Sequence, residues 1–177
     1  MTYVLCDESH IKELTEFYEK QIHFLDEHIN YPRWILGFYP SESSITNAVA
    51  KKYQYAYLED GKIIGAYVLN DEPGGKYENA NIVCKRGEYL VVHTLATSCD
   101  LYKKGIATKI VKHCIEQAKE QGYKGIYCDI MPNNILSINL FTKLGFKNLG
   151  TFDLERHELE VKYNEKPLLF NVFELVF

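Results

Sequence analysis

One stretch constrains this chain more than any other: a β-like run, a short basic loop holding a glycine, and an amphipathic helix, all between Glu88 and Gln121. The run is Tyr89-Leu90-Val91-Val92-His93-Thr94-Leu95-Ala96-Thr97, and the loop centres on Tyr102-Lys103-Lys104-Gly105. Beyond it, Ile106, Ile110, Val111, Cys114, Ile115 and Ala118 share one helical face. A strand feeding a helix through such a loop gathers backbone N–H groups at the positive end of the helix dipole, where an anion binds. Lys103 and Lys104 add charge at the same place, so the loop is expected to cradle a pyrophosphate. The plainer alternative is a glycine used only for backbone freedom. Neither Gly-x-x-x-x-Gly-Lys-Ser/Thr nor Gly-x-Gly-x-x-Gly occurs, which excludes the common nucleotide loops.

Around this stretch the chain punctuates itself. Residues 2–6 form a short strand, and Asp7-Glu8-Ser9 caps a helix that buries Ile11, Leu14, Phe17, Tyr18, Ile22 and Leu25 and ends near His28. Tyr31 to Pro40 is aromatic and irregular, and Ser41 opens a second helix reaching about Lys51. Strands at 53–58 and 62–69 meet at Asp60-Gly61, the dipeptide of a type I′ hairpin. Residues 70–87 are a long loop with a short helix at 79–84, and loops of that length usually serve function. A strand at 126–130, a break at Met131-Pro132-Asn133-Asn134 and a helix at 135–144 that turns Ile138, Phe141 and Leu144 inward follow. Then come a strand at 146–154, a charged turn from Arg156 to Lys166 and a last strand at 168–177. Hairpin strands followed by alternating strands and helices predict an α/β (α+β) domain, a mixed sheet flanked by helices, spanning 1–177 as one unit.

Composition removes several function classes. Net charge is −4, against nucleic acid held by general basicity, although Lys103, Lys104, Lys109 and Lys112 make one basic spot suited to a small polyanion. The cysteines Cys6, Cys84, Cys99, Cys114 and Cys128 are odd in number and carry no metal-ligand spacing. No metal site is therefore expected, and a reduced, cytoplasmic setting is. No apolar run reaches the length of a membrane span, and none precedes the first strand as a secretion signal would.

Leu95-Ala96-Thr97, Tyr102-x-x-Gly105-x-Ala107, Asp129, Asn134 and Leu144-Gly145-Phe146, in this order, resemble the GNAT acyl-CoA N-acyltransferase family, best over about residues 53–153. Three positions depart from its pattern. Tyr102 and Lys103 stand where the family has Gln or Arg and often Gly, and Phe141 stands where many members carry a Tyr that protonates the leaving thiolate. The resemblance implies a mostly antiparallel sheet of six or seven strands whose two central parallel strands splay to admit the pantetheine arm of acetyl-CoA. It implies cofactor contacts at Leu95, Ala96, Thr97, Tyr102, Lys103, Lys104, Gly105, Ile106, Ala107, Thr108, Asn134 and Phe141. It also implies transfer of an acetyl group to a primary amine of a small molecule.

For the chemistry, His93 is the candidate base, since an imidazole accepts a proton near neutrality. By strand alternation its side chain shares a face with that of Leu95; a purely structural His is the alternative. Asn134 either contacts the cofactor or a catalytic water, or N-caps the next helix. Asp129 either orients a base or an ammonium, or closes a local turn. Trp34, Phe38, Tyr39, His93, Asp129 and the 70–87 loop are the acceptor-side candidates; the aromatics are equally a small satellite core. A sensor that binds acyl-CoA without turnover, acetylation of a protein amine, and pairing with a second copy of the chain stay open.

Overall fold

A computed structural model of the chain describes residues 1–101 and 105–177; Tyr102, Lys103 and Lys104 lie outside the described residues. Its elements are β1 (Thr2–Leu5), α1 (Ile11–Asp26), α2 (Glu42–Ala50), β2 (Gln54–Glu59), β3 (Lys62–Asn70), β4 (Tyr89–Thr97), α3 (Ile106–Glu120), β5 (Gly125–Ile130), α4 (Ile135–Lys143), β6 (Lys147–Asp153), α5 (His157–Tyr163) and β7 (Leu169–Val176). The seven strands run in the order β1-β2-β3-β4-β5-β7-β6. β4 and β5 are parallel, whereas β1–β2, β2–β3, β5–β7 and β6–β7 are antiparallel. This is the mixed, mostly antiparallel sheet with flanking helices that the sequence predicts. The contacts gather into two units, Met1–Asn70 with Val92–Cys114, and Asp71–Val91 with Ile115–Phe177.

In the first unit, Asp7 caps a 3₁₀ turn, Glu8–His10, that leads into α1, its carboxylate accepting the Ser9 N–H at 3.0 Å; α1 itself begins after His10 with no side-chain cap. Ser41 caps α2 in the same way, accepting the Ser44 N–H. Leu14, Phe17 and Tyr18 of α1 and Ile45 and Val49 of α2 pack with Ala56, Ile63, Ala66 and Ala96 of the sheet. Burying each large apolar side chain contributes about 1.5–3 kcal/mol, which is what holds two short helices on this face. The hairpin between β2 and β3 turns at Asp60 (φ 50°) and Gly61 (φ 76°), the paired positive angles of a type I′ turn. Gly65 points opposite to Ala66, and a Cβ there would lie 2.5 Å from Ile110 Cδ1 and 3.4 Å from Ile106 Cγ2. A missing side chain thus lets the start of α3 lie close on β3.

In the second unit, Tyr89 and Val91 of β4 and Tyr127 of β5 join Tyr77, Leu154, Leu168, Phe170 and Val172 in a buried cluster. The parallel ladder pairs Tyr89, Leu90 and Val91 with Gly125, Ile126 and Tyr127. The expected helix at 79–84 is instead a 3₁₀ turn over Tyr77–Ala80 that sends Tyr77 inward. The charged stretch predicted as a turn from Arg156 onward contains α5. Its apolar face is only Leu159 and Tyr163, one turn apart, which pack against the cluster. Two residues make a weak periodic signal, and tertiary contact stabilises a helix too short to stand alone.

Candidate active site

The described part of the anion loop is its exit. Gly105 has φ +72°, and no described residue other than its chain neighbours comes within 4 Å of where a Cβ would stand, so the chain turns there through a conformation that suits glycine. The Gly105 carbonyl accepts the Lys109 N–H at 3.1 Å, which makes it the acceptor that begins α3. By helix geometry the N–H groups of Ile106, Ala107 and Thr108 then have no intrahelical acceptor. Ile106 is buried beneath them, while Ala107 and Thr108 are half-exposed.

The approach to that loop is held from below. Gln21, buried in α1, donates from Nε2 to the Phe17 carbonyl (3.1 Å) and accepts the Cys99 N–H on Oε1 (2.8 Å). The Ser98 N–H donates to the Ile64 carbonyl of β3 at 2.9 Å. Lys20 and Asp100 form an ion pair at 2.5 Å on the same approach.

β4 changes character along its length. Tyr89 to Val92 are buried; His93, Thr94, Leu95 and Thr97 are half-buried, with Ala96 inside. Between His93 and Leu95 stands Thr94 at φ +50°. A β-branched residue in the left-handed region costs about 1–3 kcal/mol and persists only where its surroundings enforce it. Here the Tyr18 hydroxyl donates to the Thr94 carbonyl at 2.9 Å, and the Tyr39 hydroxyl shares a hydrogen bond with Thr94 Oγ1. The regular alternation that would set His93 and Leu95 on one face is interrupted by this residue. His93 Nε2 lies 3.1 Å from Oδ1 of buried Asn70 at the end of β3. The amide oxygen is suited to accept from Nε2 in the tautomer that keeps the lone pair on Nδ1.

Of the aromatics expected on the acceptor side, Tyr39 meets this strand at Thr94, and Trp34 meets Tyr18. Trp34 is half-buried, its ring edge-on to Tyr18 at 5.9 Å. Its backbone is tied by Asn30, which accepts the Trp34 N–H (3.0 Å) and donates to the Trp34 carbonyl (2.7 Å). Trp34 also packs against the α1–α2 cluster, as the satellite-core reading expects.

The second-unit candidates are engaged in that unit's own structure. Asn134 caps α4, its Oδ1 accepting the Ser137 N–H at 3.1 Å. The Phe141 ring is buried edge-on to Phe146 at 5.0 Å and beside Phe173 at 6.4 Å. Asp129 Oδ1 accepts from Tyr77 Oη at 2.6 Å and from the Arg156 guanidinium at 2.5 Å, with Asp129 and Arg156 side chains 8% and 16% exposed. Arg156 also lies over the Phe170 ring at 4.5 Å. The 71–87 loop is seated on this pair: a Cβ on Gly74 would stand 2.2 Å from the guanidinium and one on Gly75 would stand 2.5 Å from the Leu154 carbonyl.

From sequence Tyr18 is only a buried residue of the first helix and Arg156 only the start of a charged turn, while Gln21, Asn70, Thr94 and Gly65 are given no role of their own. Only Gly65 carried a local signal, a lone glycine inside a strand pattern. Among the thiols, burial pushes Cys6 up to about 12 and also raises Cys114 and Cys128, so these stay protonated and serve as small apolar groups. No group of three or more His, Cys, Asp or Glu side chains suited to a metal occurs among the described residues. No helix among them is long and apolar enough to cross a membrane.

The acetyltransferase (GNAT) family model matches residues 11–146. The chain belongs to this family. It is similar in fold to a GNAT-family acetyltransferase of Streptococcus agalactiae 2603, with a TM-score of 0.78 at 17% identity over 99% of this chain and 95% of the other. A GNAT-family acetyltransferase of Listeria monocytogenes 4b F2365 superposes with a TM-score of 0.75 at 12% identity, covering 99% and 94%. The yncA protein of Salmonella typhimurium, solved with its cofactor acetyl-CoA, superposes with a TM-score of 0.70 at 16% identity, covering 99% and 93%. Family membership makes the protein an acyltransferase by class, and the seven-stranded sheet with its parallel β4–β5 pair is the fold of these relatives.

Proposed function

We propose that this GNAT protein is an acetyl-CoA-dependent N-acetyltransferase acting on a primary amine of a small molecule, as a single cytoplasmic domain. The observation that carries the reading is the start of α3, where the chain turns at Gly105 into three helix N–H groups with no intrahelical acceptor. That donor set suits a pyrophosphate, and family membership supports acetyl-CoA as its bearer. Leu95 and Thr97 offer strand backbone to an amide-bearing arm, which pairs as an added strand would. When bound, acetyl-CoA supplies a thioester whose carbonyl carbon is open to an amine.

The chain's own contribution is then to hold and to move a proton. A backbone N–H beside the kink at Thr94 polarises the carbonyl, and such a fixed donor contributes most where charge develops. His93 Nδ1 takes the proton that the amine gives up, and Asn70 holds the ring by its other nitrogen. Trp34 and Tyr39 line the acceptor side. Phe141 offers no proton for the departing thiolate, and this favours the one alternative kept, a module that binds acyl-CoA without turnover.

The deciding experiment measures CoA binding by calorimetry and thiol release with acetyl-CoA across a panel of amines. Binding with release on at least one amine supports the enzyme. Binding with no release on any amine supports the sensor, and no binding at all removes both.

A further inference from the structure

Residues Ile35 to Tyr39 close a tight turn: the Ile35 N–H donates to the Tyr39 carbonyl (3.1 Å) and the Tyr39 N–H to the Ile35 carbonyl (3.0 Å). At its tip Leu36 is 44% exposed. The Tyr39 hydroxyl leaves this turn and bonds Thr94 Oγ1, the side chain of the one β4 residue with positive φ. From the other side Tyr18, fully buried in α1, donates to the carbonyl of the same residue. Tyr18 is itself braced edge-on by Trp34. Two hydroxyls from two different elements therefore converge on a single strained threonine, between the candidate base and the strand residue offered to the cofactor.

We propose that Tyr39 is a positioning residue whose hydroxyl, with that of Tyr18, holds Thr94 in its left-handed conformation and so fixes the His93 side chain and the Leu95 N–H. The acceptor-side turn is thereby tied to the reacting strand. This rests on the acyltransfer reading above. Tyr39 does not touch the reacting atoms; it acts through Thr94. Thr94 in turn has no exchange chemistry of its own, and its value is the bend it imposes on the strand.

The kinetic test compares Tyr39→Phe, Thr94→Val, Thr94→Ser and the Tyr39→Phe/Thr94→Val pair. Tyr39→Phe keeps the ring and loses only the hydrogen bond, so kcat falls about tenfold. The KM for acetyl-CoA stays within about twofold, because cofactor binding is not what the bond supplies. Thr94→Val matches that loss, the double variant adds nothing to it, and Thr94→Ser, which keeps the hydroxyl, retains most of the rate. Wild-type kcat in Tyr39→Phe, or losses that multiply in the double variant, overturns the proposal.

A second measurement needs no turnover. Tyr39→Phe lowers the melting temperature by about 2–4 °C, and Thr94→Gly in the same background restores it, because glycine adopts positive φ without a clamp. If glycine brings no recovery, Tyr39 is not what holds the conformation and the proposal fails. A protein that releases no thiol with any amine sinks the acyltransfer reading alone, and the melting series still decides the clamp.

Discussion

The two units spend their buried polar groups differently. In the second, three close on partners within the unit: Asp129 on Tyr77 and Arg156, Glu174 on the Tyr127 hydroxyl at 3.1 Å, Asn134 on the first turn of α4. In the first, three polar side chains are turned on irregular backbone or on a residue of it: Gln21 on the Cys99 N–H, Tyr18 and Tyr39 on Thr94. β4 runs through both, regular and buried at Tyr89 to Val91, bent and half-exposed at His93 to Leu95. The lesson is that a carboxylate enclosed by a tyrosine and an arginine stabilises, whereas hydroxyls that hold a strained residue prepare a site.

The sharpest way to break that contrast is Asp129→Ala. It strands a buried guanidinium and a buried hydroxyl, and should destabilise the protein by roughly 3–5 kcal/mol in chemical denaturation. A fully stable variant with lost turnover would instead make Asp129 a functional group and erase the distinction between the units. Next comes His93→Ala, expected to lower turnover about a hundredfold at neutral pH. The deficit should shrink as pH rises, because hydroxide replaces the missing base and more of the amine is already neutral. A pH–rate profile parallel to wild type would put His93 among the structural residues.

Gly105→Glu tests the glycine turn of the first unit. Positive φ and a new negative charge at the start of α3 should weaken CoA binding by roughly ten- to a hundredfold, read by calorimetry. The melting temperature should fall by about 2–4 °C, the cost of a positive φ at a non-glycine residue rather than of a clash, since no described residue other than its chain neighbours lies within 4 Å of the new Cβ. The smallest effect belongs to the second unit's surface. Lys124 holds the Glu88 carboxyl below its ordinary range, mainly through their hydrogen bond at 2.5 Å. A carboxyl with a depressed folded pKa contributes stability above its unfolded pKa and loses it as pH falls. Lys124→Met should therefore cost a little stability at neutral pH, a deficit that closes as pH falls through the range in which Glu88 takes up its proton; a large loss at neutral pH would mean that an exposed pair acts as a structural tie.

Much of the fold was legible because its signals are local. Asp60-Gly61 dictates its turn, Asp7, Ser41 and Asn134 cap the helices they precede, and the apolar stripe from Ile106 to Ala118 makes a helix wherever it stands. α5 was not legible, because Leu159 and Tyr163 alone do not make a stripe. Of the candidate site, the glycine that starts α3 and the half-buried stretch of β4 could be marked from residue order. Which of two readings applied to Asn134 could not, since a cap and a ligand contact use the same amide; here its oxygen serves the cap.

The sequence by itself determined the succession of strands and helices other than α5, the family and the glycine turn that begins α3, because propensity, capping and periodicity act within a few residues of chain. Only the tertiary structure decided that Tyr18 and Tyr39 meet at Thr94, that Asn70 faces His93, and that Arg156 encloses Asp129. These pairs join residues 23 to 76 positions apart. Over such separations a side chain's partner is set by how the elements pack, and no pattern in the neighbouring residues carries it.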